Sequence, residues 1–157
     1  MTIANRVAAC LAAVSLGIAI SASAAPGGGG ADEAEKLRRL DIMLMVTGLR
    51  CRTTADNFQG DYGRFTTQHL SELNAASDRL KSDLAQRYGA AGANRALDRM
   101  SVSMANTYGQ GHPWLDCAQL KTVTRNLAAS QGSAPLVAAA DQLLGARPVD
   151  LAFAARR

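Results

Sequence analysis

The positions Phe58, Tyr62, Phe65, His69, Leu73, Ala76, Leu80 and Leu84 recur at steps of three and four residues. That spacing lines one face of an α-helix, whereas a strand would send alternate side chains to opposite faces. The stripe predicts a long amphipathic helix that closes at Tyr88-Gly89, with Gly89 as its C-terminal cap. A helix with so continuous an apolar face needs other helices to cover it.

The rest of the chain supplies them. Asp32-Glu33-Ala34-Glu35 reads as a helix start, with Asp32 as cap and acidic side chains at the positive end of the dipole. Leu37, Leu40, Leu44, Thr47 and Cys51 follow at helical spacing, and Met43, Met45, Val46 and Leu49 widen the stripe until the helix is apolar nearly all round. Such a helix belongs at the centre of a domain. Ala93, Leu97, Met100, Met104 and Tyr108 trace a third helix, and a fourth starts near Trp114 to Asp116 and runs through Cys117, Leu120 and Leu127. Gln131-Gly132-Ser133-Ala134 interrupts it, and Pro135 suits the first turn of a fifth helix ending at Gly145. No segment alternates with period two. The expected fold is all-α, a single-domain bundle of four or five helices with one disulfide.

The first residues read as a secretory signal over 1–24: Arg6, an apolar stretch from Val7 to Ile20, then Ala22-Ser23-Ala24 before the cut. The stretch is too short to span a bilayer comfortably and is followed by Pro26 and glycines, so no transmembrane anchor is expected after processing. Residues 25–31 read as a flexible linker, 32–146 as the helical domain and 147–157 as a tail that docks loosely through Val149, Leu151 and Phe153. The expected location is the periplasm or the exterior. Cys10 leaves with the signal, so two thiols remain, Cys51 and Cys117. Outside the cytoplasm such a pair tends to oxidise, and closing so long a loop stabilises by about 4 kcal/mol in the chain-entropy account. The alternative is a reactive Cys51 activated by Arg50 and Arg52, but there is no CxxC and no histidine near it in sequence.

The whole chain carries a formal charge of +4, and its charges are interspersed: Lys36, Arg38 and Arg39 stand beside Glu33, Glu35 and Asp41. No basic block interleaves with aromatics, so no nucleic-acid partner is expected.

Uncommon residues gather in Gly109-Gln110-Gly111-His112-Pro113-Trp114-Leu115-Asp116-Cys117. His112 near Asp116 is the pattern of an acid–base pair, with Asp61 and Tyr62 as possible helpers. The structural alternative makes Trp114 a plug for the end of the core and Asp116 the cap of the next helix. Trp114 and Tyr108 are the candidate binding aromatics. His69 and Glu72 lie three apart, neighbours on a helix and candidate metal ligands, although carboxylate-bridged bundles use paired Glu-x-x-His sites. The chain has no CxxCH, zinc-module spacing, Gly-x-Ser-x-Gly elbow or phosphate-binding loop, and no cofactor is expected.

Arg39-Leu40-Asp41-Ile42-Met43-Leu44-Met45, Arg50-Cys51-Arg52, Asp56-Asn57-Phe58-Gln59-Gly60-Asp61-Tyr62 and Tyr108-Gly109-Gln110-Gly111-His112-Pro113-Trp114 carry a resemblance. From Leu37 through Lys121 the chain resembles small exported α-helical proteins of Gram-negative bacteria whose function is uncharacterised. Some of these bear the name S-adenosylhomocysteine hydrolase. That enzyme is a much larger NAD-bound protein with a Rossmann domain, and this sequence holds none of its machinery. The resemblance implies an exported helical protein and supplies no catalytic residues.

The leading expectation is a non-enzymatic exported helical domain that binds a cell-envelope protein or peptide. The first alternative is a small periplasmic hydrolase or lyase using His112 and Asp116. The second is metal or apolar-ligand binding between helices, through His69, Glu72 and the methionines.

Overall fold

Leu40, Met43 and Leu44 are completely shielded from solvent, which puts the most apolar helix where its composition requires. The computed structural model describes residues 29–145; the signal segment 1–24 and the tail 147–157, with Val149, Leu151 and Phe153, lie outside the described residues. Helix α1 spans Gly29–Arg50 and runs into a 3-10 turn at Cys51–Thr53. It is followed by α2 (Gln59–Gln68), α3 (Leu70–Thr107), α4 (Cys117–Ala128) and α5 (Ser133–Leu144), with no strand among the described residues. The chain is an all-α single-domain bundle of five helices with one disulfide, and α1 packs against each of the other four. No helix among the described residues is long and apolar enough to cross a membrane.

Helix α1 begins at Gly29, inside the span 25–31 expected to be linker. Asp32 therefore lies within its first turn, where it pairs with Lys36 at 2.9 Å. Lys36 also reaches Asp141 of α5 at 3.0 Å, and Ala34 and Leu37 are buried. Tertiary packing of this kind overrides the poor helix propensity of glycine.

The founding stripe is buried at Phe58, Phe65, His69, Ala76, Leu80 and Leu84, but one continuous helix does not carry it. The backbone leaves helical geometry at His69 (φ −108°, ψ 24°), and α2 packs on α4 while α3 packs on α1. The imidazole is fully buried and its Nε2–H donates to the Leu127 carbonyl oxygen at 2.8 Å, so the bend ties the start of α3 to the end of α4, where the Ser130 N–H and hydroxyl also donate to that oxygen.

Gly89 ends the first run of α3, as its position in the stripe predicts: with φ 71° and ψ 164° it leaves helical geometry in a conformation that glycine adopts without steric cost, and a second run of helix follows at once. Leu84 and Ala96 would stand about 18 Å apart along a straight helix. Instead they share a small apolar cluster with Ala93, so the chain turns back on itself at Gly89.

At the far end of α1, a β-carbon on Gly48 would come within 3.3 Å of the Phe58 ring, so the missing side chain lets Phe58 lie against α1. Three residues on, Cys51 bonds to Cys117 at the start of α4, with Cα atoms 5.8 Å apart across a sequence separation of 66. That spacing is normal for a disulfide.

Candidate functional site

The loop between α3 and α4 is fixed from several sides. The disulfide holds its end at Cys117, and an Arg50 guanidinium N–H donates to the Gly109 carbonyl oxygen at 2.9 Å. Asp116 caps α4: its carboxylate accepts from the Gln119 backbone N–H at 2.8 Å, and the Gln119 side chain accepts from the Asp116 N–H at 3.0 Å. This reciprocal capping box satisfies two groups that would otherwise lack partners.

His112 is buried by these neighbours. Its Nε2–H donates to the Leu143 carbonyl oxygen at 3.0 Å, which leaves Nδ1 as an acceptor for the Leu115 backbone N–H at 3.2 Å. Tyr108 stacks on the imidazole at 6.2 Å between centroids, and Trp114 meets it edge-on at 4.7 Å. Trp114 remains half-buried, so it covers the histidine and does not plug the core; Tyr108 is buried. Burial holds His112 below the usual imidazole range, with the Leu143 carbonyl opposing in part. Both ring nitrogens are thus committed to the backbone, and Asp116 is committed to its cap.

This arrangement gives a pH dependence with a definite sign. A histidine that stays neutral in the fold but accepts a proton when unfolded contributes stability fully above about pH 6.5, and loses it as pH falls toward the lowered folded value. Urea unfolding between pH 7.5 and 5.5 should show wild type losing stability on acidification more steeply than His112→Gln. Parallel pH profiles would contradict this reading of His112.

The other chemical candidates lie elsewhere. Asp61 on α2 is buried and pairs with Arg64 of its own helix and with Arg125 of α4, 3.5 Å away. The Tyr62 hydroxyl donates to Asp41 Oδ1 on α1 at 2.8 Å. Burial pushes the Tyr62 phenol well above its usual range, and the Asp41 carboxylate adds to the effect. Burial also raises Asp41, with the Tyr62 hydrogen bond and Arg38 opposing. These groups tie helices together and share no cleft with His112.

His69 Nδ1 lies 4.0 Å from Glu72 Oε1, and the Ser71 hydroxyl donates to Glu72 Oε2 at 2.6 Å. The Ser71 bond, then the residue's own backbone, then nearby His69 hold the Glu72 carboxyl below its usual range although burial opposes them. Among the described residues no group of three or more His, Cys, Asp or Glu side chains is placed to hold a metal ion.

Two clefts frame these features. One, of about 350 Å³, lies beside the disulfide and is lined by Thr47, Arg50, Gln110 and His112. The larger, of about 500 Å³, lies between the first turns of α1, α3 and α5. Its floor is apolar, from Ala34, Leu37, Ala75 and Ala76, and its rim carries Glu33, Glu72, Arg79 and Ser133. This size and mixture suit a bound organic group. From Leu37 to Thr47 is about 15 Å along α1, so the two clefts occupy separate places on the bundle.

Sequence reasoning found the disulfide end and missed the larger cleft, apart from Glu72. Its walls come from three segments far apart in sequence, each with ordinary small or charged residues. The available signal was Ala76, a small residue at a stripe position that a larger side chain would have filled. No family model, curated protein or solved structure matches the chain.

Proposed function

We propose that this protein is a non-enzymatic exported helical domain that binds a cell-envelope protein or peptide through the cleft between α1, α3 and α5. One observation carries the reading: the histidine and aspartate of the loop before α4 are engaged by the fold, while the cleft between α1, α3 and α5 is apolar-floored with a charged rim. The disulfide fits an oxidising compartment. The sequence resemblance to exported helical proteins points the same way, as does the signal pattern at 1–24.

Ala75 is exposed and lines the cleft, so a larger side chain there fills the site without burying new volume in the core. Capture from envelope extract with wild type should recover a reproducible partner. Ala75→Trp, with an unchanged unfolding midpoint, should reduce recovery about tenfold or more, the usual scale for blocking a central contact. Equal recovery by both proteins would refute the cleft as the binding site.

A further inference from the structure

His69 stands at the bend between α2 and α3, fully buried, with one ring nitrogen satisfied and the other not. Nε2 lies 2.8 Å from the Leu127 carbonyl oxygen, and a carbonyl only accepts, so a hydrogen stays on Nε2. The Ser130 hydroxyl, 3.4 Å from the same nitrogen, donates to that carbonyl and leaves its own oxygen facing the ring. The proton that comes and goes on this imidazole therefore belongs to Nδ1. That atom is shielded from solvent and has no hydrogen-bond partner, a state that buried polar atoms seldom keep.

Nδ1 faces Glu72 Oε1 at 4.0 Å, beyond a hydrogen bond and within reach of an ion pair. The Ser71 hydroxyl, then the residue's own backbone, hold Glu72 below the usual carboxyl range, so it stays a carboxylate while an imidazole titrates. A neutral His69 turns a lone pair toward that carboxylate, and a protonated one turns a donor toward it. No other carboxylate among the described residues comes within 4 Å of the ring. From α2 the Phe65 ring packs on the imidazole at 5.5 Å between centroids, and the end of α4 contributes Leu127 and Ser130. The charged groups of those two helices are engaged away from it: Asp61 pairs with Arg64 and Arg125, and Lys121 turns to Asp56.

We propose that His69 and Glu72 form a proton-operated latch at the bend between α2 and α3. On taking up a proton at Nδ1, His69 becomes an imidazolium and draws the Glu72 carboxylate into an ion pair across one turn of helix; on losing it, the carboxylate is released. The buried side of the pair is poorly screened, which strengthens the attraction. Glu72 also lines the larger cleft, so the same proton sets how much charge that rim presents. His112 has no such role, because both of its nitrogens are bonded to backbone groups and no carboxylate within 4 Å faces it. The latch stands whether or not the cleft holds an envelope partner.

Ring-nitrogen and carboxyl-carbon NMR of the oxidised protein from about pH 7.5 to about pH 5, across the ordinary imidazole range, tests this. His69 Nδ1 should gain a proton over that span while Nε2 keeps its own, and the Glu72 carboxyl resonance should move with the same midpoint. Glu72→Gln should lower the His69 midpoint by about one pH unit and leave the His112 signals in place. One unit is the low end for losing an opposite charge at this distance, because Glu72 is only half-buried and water screens it. An Nδ1 that stays unprotonated down to the lowest pH would overturn the proposal, as would a His69 midpoint that Glu72→Gln does not move. A Glu72 resonance that fails to follow the ring in the wild-type protein would overturn it without recourse to any variant.

Discussion

Replacing both bridged cysteines, as Cys51→Ala with Cys117→Ala, should lower the unfolding free energy by about 4 kcal/mol, the loop-closure term for so long a separation. The bridge spans 66 positions and joins the end of the central helix to the start of α4. Without it the unfolded chain regains the freedom of that whole stretch. The native state loses little in compensation, because Cys51 is already buried and alanine leaves only a small void. Alanine at both positions also avoids leaving free thiols in the site. Urea unfolding of the oxidised wild type beside the double variant gives the difference directly. A change below about 1 kcal/mol would mean that Arg50–Gly109, the Asp116 cap and core packing already fix this end, leaving the bridge redundant.

Phe58→Ala should cost about 3–5 kcal/mol, the range for emptying a buried aromatic site. The ring has no exposed surface and fits against Gly48, so its removal leaves a cavity between α1 and the start of α2. Phe58→Leu should recover much of the loss. Gly48→Ala should destabilise mildly, because the ring must yield a few tenths of an ångström to a β-carbon 3.3 Å away. Urea unfolding of the three variants checks the order. A Phe58→Ala loss below about 1 kcal/mol would show that this end of α1 collapses easily, contrary to the packing described. Phe58 and Cys51 brace the same end of α1, so their losses should not be simply additive.

The fold was legible because helical periodicity is a local signal. The stripes through Leu40, Phe65, Leu80 and Leu120 identify faces, and all four residues are buried. The cysteine pair then fixed one long-range neighbour. What periodicity left out was direction. The step at His69 keeps the three–four rhythm across a bend, because His69 continues the stripe while its ring turns to the Leu127 carbonyl. The reversal at Gly89 depends on φ at one residue, and a helix-capping glycine looks identical whether the next helix leaves or doubles back.

The site was less legible, for a related reason. His112, Trp114 and Asp116 are uncommon residues in a glycine-containing loop, a composition shared by catalytic loops and structural clasps. Only the bonding of both His112 nitrogens to Leu143 and Leu115 separates the two uses. The larger cleft has the opposite character. Ala75, Ser133 and Glu33 attract no notice in sequence, and they acquire meaning when three helix starts meet around them.

On the proposed reading, binding belongs to the cleft at the helix starts, while the disulfide end holds the fold. The most direct test of that reading is envelope capture by two matched variants, Ala75→Trp in the larger cleft and Gln110→Trp at the exposed rim of the cleft beside the disulfide. Both should unfold at the wild-type midpoint. The expected result is that Ala75→Trp loses the partner and Gln110→Trp keeps it. Retention by Ala75→Trp with loss by Gln110→Trp would contradict the account and move the functional site to the His112 loop.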